Sequence, residues 1–332
     1  MRIVVVGAGS WGTTLGDLLA RAGHEVPLWA REPEVVESIR GRRVNELFLP
    51  GCALHERVRA EGQIPDAVAG AEMVVMAVPS HVMRPVATDV ARAAGERRPI
   101  VVSVSKGLDP ESLDFMTDVL EEAFPGSPVA ALSGPSFAQE VFQGQPTAVV
   151  AASKDPKAAE TVQQAFSTGS FRVYRSGDVT GVQLGGALKN VVAIAAGILE
   201  GLGLGHNSRA GLITRGLAEI ARLGAALGAD PMTFAGLAGM GDLVLTATGA
   251  LSRNRSLGME LGKGRTLAEI LAERRSVAEG VTTARTAVAL GTRAGVELPI
   301  AAEVSRILFE GKAPRQAIRD LMERELKAEQ WR

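Results

Sequence analysis

The chain has 332 residues, of which 46% are hydrophobic and 22% are charged, and its formal net charge is −1 at pH 7. This length favours two domains with a substantial buried core, and the interspersed charges leave no basic tract that would bind nucleic acid or an anionic membrane non-specifically. The single cysteine, Cys52, excludes an internal disulfide framework and, with only four histidines, argues against a Cys/His metal centre.

The first thirty residues predict a strand, a glycine turn, a helix and a second strand. Residues 3–6 are β-branched and uninterrupted, which is typical of a parallel strand buried on both faces. Gly7, Gly9 and Gly12 follow in a Gly-x-Gly-x-x-Gly pattern, and residues 24–29 form the next predicted strand. This context indicates a dinucleotide-binding fingerprint, and a purely structural turn is the alternative.

Each glycine of the fingerprint has a mechanical role in this interpretation. Gly7 permits the sharp turn, Gly9 has no side chain to exclude a pyrophosphate, and Gly12 lets the helix pack closely on the strand. The N-terminus of the helix offers unpaired N–H groups and a partial positive charge to the phosphates.

The end of the second strand bears on the choice of cofactor. NAD-specific folds usually place an acidic residue there, but this strand ends in "LWARE", so Arg31 lies near the expected position. An arginine can pair with a ribose 2′-phosphate. Glu32 is expected to point elsewhere, at the start of the next helix, where an acid complements the helix dipole. We predict that NADPH is accepted and preferred, with NADH usable.

Strands and helices then alternate as far as Gly177, after which the sequence is almost wholly helical. Further strands are predicted in 72–79, 99–107, 128–136, 147–153 and 171–176, and helices in 82–94, 110–123 and 156–166. The pattern predicts an α/β protein with an N-terminal Rossmann-type, doubly wound, mainly parallel sheet, followed by an all-α C-terminal domain. We divide the chain into a dinucleotide-binding domain, 1–177, and a helical substrate-binding domain, 178–332, with the active site between them.

One segment, residues 179–199, is apolar enough to suggest a membrane span. It contains Gln183, Lys189 and Asn190, so we predict a buried core helix and no stable membrane insertion. Because Met1 leads straight into the first strand, there is no room for a signal peptide, and a cytoplasmic location is expected.

Lys189 is the charged residue with the strongest chemical signal. It is the only charged side chain between Asp178 and Glu200, and lysine is rarely buried without a partner. It must therefore face a polar cavity or meet an anion. Desolvation would lower its pKa toward the range that suits acid-base catalysis. The alternative is a structural ion pair between helices.

Other polar residues follow the predicted strands, where ligands of parallel sheets bind. Lys106 comes just after "VVSVS" and before Gly107, and it is either a ligand-binding group or a surface lysine. Gly134 and Ser136 follow the next strand and could offer a backbone N–H and a hydroxyl, although Gly-Pro-Ser is also common in turns.

A second polar group lies in the helical half. Asp242 stands among glycines and apolar residues, and Ser252, Arg253 and Asn254 follow about ten residues later. Arginine matches phosphate geometrically, and serine and asparagine can donate beside it. Such a cluster alone is more often a solvated turn, but with Lys189 and a nucleotide fold we predict phosphate binding. The pattern alone gives Glu279 no role.

Seven motifs occur in an order and at spacings that carry a resemblance to a known family. They are "GAGSWGT", "SKGL", "LSGPSFAQEV", "GALKNVVAIAAGI", "AGMGDLVLT", "SRNRSLG" and "VAEGVTTA". Over nearly its whole length the chain resembles the bacterial NAD(P)-dependent glycerol-3-phosphate dehydrogenases. The resemblance implies interconversion of dihydroxyacetone phosphate and sn-glycerol 3-phosphate, which supplies phospholipid synthesis.

The resemblance also implies roles for individual residues, with Lys189 as the proton acceptor and no metal. Cofactor contacts are implied at Ser10, Trp11, Arg31, Lys106, Ala138, Arg253, Val277 and Glu279. Substrate contacts are implied at Lys106, Gly134, Ser136, Lys189, Asp242, Ser252, Arg253 and Asn254.

The sequence departs from the family pattern in two places. The loop 43–51, "RVNELFLPG", lacks the usual aromatic-rich version, and His206 stands where an acidic residue is usual. Two other functions are compatible with the fold. A hydroxy-acid dehydrogenase would want an arginine placed for a carboxylate, and a non-catalytic NADPH sensor would need no buried lysine. A homodimer is expected, because helical second domains of this kind often pair.

Overall fold

The computed structural model describes residues 1–273, 278–326, 328 and 329. Within these residues, all strands lie before residue 177. They are β1 (Ile3–Val6), β2 (Val26–Trp29), β3 (Val44–Asn45), β4 (Leu49–Ala53), β5 (Val58–Glu61), β6 (Met73–Met76), β7 (Ile100–Ser103), β8 (Val129–Ser133), β9 (Thr147–Ala152) and β10 (Phe171–Ser176). Eight of them form one sheet in the order β10-β9-β8-β7-β6-β1-β2-β5, and β3 pairs with β4 in a small hairpin.

Helices cover both faces of the sheet and make up most of the described residues after 177. They are α1 (Ser10–Arg21), α2 (Pro33–Arg42), α3 (Ile64–Val68), α4 (Met83–Ala94), α5 (Met116–Ala123), α6 (Ala138–Phe142), α7 (Pro156–Phe166), α8 (Val179–Gly201), α9 (His206–Ala226), α10 (Pro231–Ala235), α11 (Asp242–Thr248), α12 (Arg253–Gly262), α13 (Leu267–Ala272), α14 (Glu279–Arg293), α15 (Pro299–Phe309) and α16 (Pro314–Met322). A 3₁₀ turn covers Ser80–Val82 and a π-helical turn covers Leu237–Gly241.

Both faces of the large sheet are buried, as the uninterrupted apolar strands predict. Ile3 and Val5 of β1 point into a core formed with α1, α2 and α7. Val4 and Val6 point into a second core on the other face, formed with α3, α4 and α5. This arrangement confirms the α/β class and the doubly wound sheet. It also brings the carboxyl ends of β8, β7, β6, β1 and β2 to one edge.

The sheet is mainly parallel, as predicted, and its one antiparallel pairing among the described strands is that of β8 with β9. Two details differ from the sequence prediction. The edge strand β5 and the hairpin were not predicted. Residues 110–115 do not join α5 but form a turn, in which the Asp109 carboxylate accepts hydrogen bonds from two backbone N–H groups and Leu113 has a φ of 66°.

Helix α8 is the centre of the helical half. It is long and apolar enough to span a membrane by length and composition, but 94% of its most apolar stretch is buried inside the protein. It contacts α9, α11, α12, α14 and α15. These contacts agree with a core helix, as the sequence predicts.

Glycines set the close crossing of α8 and α12. A Cβ atom on Gly197 would lie 2.0 Å from the carbonyl oxygen of Arg255, and one on Gly258 would lie 2.0 Å from that of Ile194. Neither position tolerates a side chain without separating the helices, since the obstacle is backbone. The crossing holds the first turn of α12 against the polar residues of α8.

Candidate active site

The glycine turn after β1 contains two glycines required by the protein's own packing and one that is not. Gly7 has a φ of 112°, which favours glycine, and a Cβ on Gly12 would lie 1.9 Å from the carbonyl oxygen of Gly7. A Cβ on Gly9 would have no protein atom within 4 Å. Gly9 begins α1 as its N-cap, so the open space lies at a helix N-terminus. An open helix N-terminus of this kind offers backbone N–H groups and a partial positive charge to a phosphate group.

The residues around the turn are held by short hydrogen bonds. The Oγ of Ser10 donates to the carbonyl oxygen of Phe48 at 2.6 Å, and Asn45 donates from Nδ2 to the Ala8 carbonyl oxygen at 2.8 Å. The loop 43–51, which differs from the usual family pattern, therefore lies directly against the glycine turn. Trp11 is half-buried and packs against the core on this face of the sheet.

Ala138 reaches the same region from a distant part of the chain. Its carbonyl oxygen accepts a hydrogen bond from the Oγ1 of Thr14 on α1 at 3.2 Å. Ala138 is the first residue of α6, and this hydrogen bond places its backbone beside α1, the helix that follows the glycine turn.

Arg31 lies just beyond β2 and Glu32 lies at the start of α2, as predicted, but the Glu32 side chain points to Arg31 and not elsewhere. Arg31 donates from Nε and Nη2 to one Oε1 of Glu32, at 3.1 and 2.8 Å. Glu32 is the N-cap of α2 and its side chain turns back to the arginine. The Arg31 side chain is 78% exposed, so the pair is weak and open to exchange with another anion.

The central cluster of the site joins two lysines through one carboxylate. Lys189 on α8 donates from Nζ to Asp242 Oδ1 at 2.5 Å, and Lys106 donates from Nζ to Asp242 Oδ2 at 2.6 Å. Asp242 is 1% exposed and Lys189 is 6% exposed. Two cations around one anion leave an excess positive charge at a buried point, which favours an anionic or developing anionic ligand.

Burial lowers the pKa of Lys189 to about 7. Asp242 opposes this effect by stabilising the ammonium form, and Lys106 adds to the lowering by like-charge repulsion. A lysine with this pKa can both give and take a proton near neutral pH.

Further contacts fix the lysines in place. The Oγ1 of Thr246, one turn after Asp242, accepts from Lys189 Nζ at 2.7 Å and donates to the Asp242 carbonyl oxygen. Lys106 also donates to the Gly134 carbonyl oxygen at 2.8 Å, and Ser136 Oγ donates to the same atom at 2.9 Å. The Gly134 carbonyl oxygen therefore brings Lys106 and Ser136 together, a contact that the sequence did not predict. Thr246 was missed, although its spacing of four from a buried acid is the signal for it.

Two asparagines connect the lysines with α12 and α14. Asn190 donates from Nδ2 to the Lys106 carbonyl oxygen at 3.2 Å, and its Oδ1 accepts from Nδ2 of Asn254 at 2.9 Å. The Oδ1 of Asn254 in turn accepts from the backbone N–H of Gly280 at 3.0 Å. Asn190 and Asn254 thus hold the first turn of α12 beside the lysine cluster.

The serine and arginine next to Asn254 differ in their setting. Ser252 is buried as the N-cap of α12, and its Oγ accepts from the backbone N–H of Arg255 at 3.2 Å. Arg253 is exposed and lies near enough to Glu279 to favour its ionised form. A helix N-terminus with an arginine at its first position is well suited to bind phosphate.

Glu279, which begins α14, is anchored on the sheet side of the site. Its Oε2 accepts from the Oγ of Ser80 at 2.9 Å, and its Oε1 accepts from the Ser80 backbone N–H at 3.4 Å. Burial raises the pKa of Glu279, and the hydrogen bonds from Ser80 act against this rise. Ser80 was not among the residues singled out in the sequence. Val277 lies outside the described residues.

Residues 1–273, 278–326, 328 and 329 contain no group of three or more His, Cys, Asp or Glu side chains that could hold a metal ion. The lysines, hydroxyls and amides of the site are hydrogen-bonding groups rather than typical metal ligands.

The fold and the site together define a dehydrogenase that uses a nicotinamide dinucleotide. An open space lies at the N-terminus of α1, at the carboxyl end of β1, and a lysine with a pKa near neutrality lies between the sheet and the helical region.

The comparisons with known proteins identify the family. The model for the N-terminus of NAD-dependent glycerol-3-phosphate dehydrogenase matches residues 2–159, and the model for its C-terminus matches residues 178–319. The chain belongs to this family and is an NAD(P)-dependent oxidoreductase, as the resemblance implies.

Curated relatives and solved structures agree. The chain is 54% identical over 331 residues to glycerol-3-phosphate dehydrogenase (NAD(P)+) of Citrifermentans bemidjiense, covering 99% of this chain and 98% of the relative. It is 55% identical over 335 residues to that of Geobacter sulfurreducens, covering 99% of each. The crystal structure of glycerol-3-phosphate dehydrogenase from Coxiella burnetii superposes with a TM-score of 0.94 at 37% identity, covering 97% of this chain and 99% of that chain.

Proposed function

We propose that the chain interconverts dihydroxyacetone phosphate and sn-glycerol 3-phosphate with NADPH or NADH, and that Lys189 is its proton-transfer residue. The observation that carries the proposal is the buried cluster of Lys189, Asp242 and Lys106, in which burial brings the pKa of Lys189 to about 7. The family, the relatives' activity and the phosphate-suited first turn of α12 support the same substrates.

Residues at the edge of the sheet where the carboxyl ends of the parallel strands lie would hold the cofactor. The open space at Gly9 would receive the pyrophosphate, and Ser10, Trp11, Ala138 and the end of β2 would form the wall of the site around it. When bound, the nicotinamide ring donates or accepts a hydride at its C4 atom. We assign to the cofactor the ten described positions Gly7, Gly9, Ser10, Trp11, Gly12, Arg31, Lys106, Ala138, Arg253 and Glu279.

The protein's own part in the reaction is proton transfer and charge placement. In the reductive direction the Lys189 ammonium gives a proton to the C2 oxygen of dihydroxyacetone phosphate as negative charge develops there. In the oxidative direction the neutral amine takes the proton of the C2 hydroxyl. Asp242 holds both lysines toward that point, and Ser252, Arg253 and Asn254 hold the phosphate, whose binding energy orients the reacting carbon.

A spectrophotometric assay of NADPH oxidation with dihydroxyacetone phosphate tests the proposal directly. A hydroxy-acid dehydrogenase would turn over a 2-keto acid instead, and an NADPH sensor would bind the cofactor without turnover. Either of these results would replace the proposed reaction.

The phosphate assignment makes a prediction about Arg253. Replacing Arg253 with alanine should raise the KM for dihydroxyacetone phosphate about tenfold or more, because a charge-assisted contact to the phosphate is lost. The KM for unphosphorylated dihydroxyacetone should change little. An equal loss with both substrates would remove Arg253 from the phosphate and leave it with the cofactor alone.

The cofactor preference makes a prediction about Arg31. We propose that Arg31 exchanges Glu32 for the ribose 2′-phosphate, so that NADPH is preferred and NADH stays usable. Arg31→Asp should lower kcat/KM for NADPH about tenfold or more and keep most of that for NADH. Arg92→Asp on the exposed face of α4 is the matched charge control. A parent with a strong NADH preference, or an unchanged ratio in Arg31→Asp, contradicts the assignment.

The remaining predictions complete the proposal. We divide the chain into a dinucleotide-binding domain, 1–177, and a substrate-binding domain, 178–332. The enzyme is proposed to act in the cytoplasm as a homodimer, without stable membrane insertion, and to supply glycerol 3-phosphate for phospholipid synthesis.

A further inference from the structure

A buried serine joins the sheet to the helical half of the chain beside the site. Ser80 follows β6 in the 3₁₀ turn and is 1% exposed. Through its Oγ and its backbone N–H it donates to both carboxylate oxygens of Glu279, at 2.9 and 3.4 Å. The two residues are 199 positions apart in the chain, so this contact fixes how α14 begins relative to the sheet.

The pair packs against the segment that carries Lys106. A Cβ on Gly107 would lie 2.4 Å from Ser80 Oγ and 3.3 Å from Glu279 Oε2. On the other side, the backbone N–H of Gly280 donates to Asn254. The Ser80–Glu279 contact therefore lies between the lysine segment and the first turn of α12.

A buried carboxyl group such as that of Glu279 is an unusual residue for a purely structural contact. Burial of an ionised carboxylate is costly unless hydrogen bonds or charges compensate it. Ser80 supplies two hydrogen bonds, and His81 and Arg253 also favour the charged form of Glu279. The two hydrogen bonds from Ser80 orient the Glu279 carboxyl group beside Gly107.

We propose that Ser80 is a positioning residue, which fixes the Glu279 carboxylate as an acceptor for hydrogen-bond donors of the bound dinucleotide. This inference rests on the proposed function, in which Glu279 contacts the cofactor. The donors that a dinucleotide offers are its ribose hydroxyls and its nicotinamide carboxamide. A loosened carboxylate would meet them less well, while Lys189 and Asp242 would keep their geometry.

A double-mutant cycle on the full chain tests the proposal, with NADPH binding measured by fluorescence titration and turnover measured separately. Ser80→Ala should raise the Kd for NADPH about fivefold, as expected for the loss of one ordinary hydrogen bond, with kcat at saturating NADPH nearly unchanged. Glu279→Ala should raise it at least as much. The double variant should bind no more weakly than Glu279→Ala alone, because the serine then has no carboxylate to hold.

Ser153→Ala is the matched control. Ser153 is 3% exposed and its Oγ donates to the Val129 carbonyl oxygen at 2.6 Å, at the opposite end of β8. The Ser153→Ala variant should have lower thermal stability than the parent and an unchanged Kd for NADPH. An unchanged Kd in Ser80→Ala or in Glu279→Ala, or additive losses in the cycle, would overturn the proposal. Because NADPH binding is measured without turnover, failure of the proposed reaction would be seen separately in the parent enzyme.

Discussion

Replacing Lys189 with alanine is expected to lower kcat by a factor on the order of 10² or more, in both directions of the reaction. Lys189 is the buried group whose pKa lies at about 7 and whose Nζ meets Asp242 and Thr246. Its loss removes the proton donor and leaves the Asp242 carboxylate paired with Lys106 alone. The Kd for NADPH should stay close to the parent value, since the glycine turn lies on the sheet.

Two further variants separate chemistry from packing. Lys189→Met keeps most of the buried stem and removes only the charge. It should therefore lose as much turnover as Lys189→Ala, but its loss of thermal stability should be smaller. Lys154→Ala removes an exposed lysine paired with Glu121 and should leave kcat unchanged. Near-normal turnover in Lys189→Met would rule out Lys189 as the proton-transfer group.

The pH dependence follows from the same group, and its sign differs between the two directions. Reduction needs the ammonium form of Lys189, so kcat/KM for dihydroxyacetone phosphate should fall as pH rises above about 7. Oxidation needs the neutral amine, so kcat/KM for glycerol 3-phosphate should rise as pH increases through about 7. Both the fall and the rise with pH should be absent from the residual activity of Lys189→Met.

Much of this architecture could be predicted from the sequence, because short stretches of it carry the patterns of single strands, helices and turns. The glycine turn, the buried strands and the helix Pro156–Phe166 each carry their own pattern. Strand β5 is as short as β1 but has Arg59 and Glu61 among its four residues, so it lacks the apolar run that indicates β1. Residues 110–115 have a proline suited to a first helical turn, but the Asp109 side chain competes for their backbone N–H groups.

The site was predictable where a residue conflicted with its surroundings. Lys189 in an apolar helix and Asp242 among glycines are costly to bury, and that cost indicates a function. Partnership across the fold was not predictable in the same way. Nothing local indicates that Asp242 would bridge two lysines, or that Ser80 would meet Glu279 almost 200 positions later.

Asp242→Asn is expected to have an effect comparable to the loss of Lys189 itself, although it changes hardly any volume. Each carboxylate oxygen of Asp242 now accepts from one lysine. An amide offers one oxygen acceptor and one NH₂ donor, so one of the two ammonium groups would face another donor. A buried ammonium without its anion is strongly disfavoured, and the pKa of Lys189 should fall below its present value of about 7.

The consequence for reduction is a loss that depends on pH in a defined direction. At pH 7 to 8 most of the Lys189 in Asp242→Asn would be neutral and unable to donate, so kcat/KM for dihydroxyacetone phosphate should fall by about 10² or more. The loss should become smaller toward pH 6, where the lysine regains its proton. Glu200→Gln is the matched control, because Glu200 on α8 accepts from Arg255 at 2.6 and 2.8 Å in a separate ion pair. That variant should lose stability but keep the parent's pH profile, whereas a parent-like profile in Asp242→Asn would mean that the carboxylate does not set the proton affinity of Lys189.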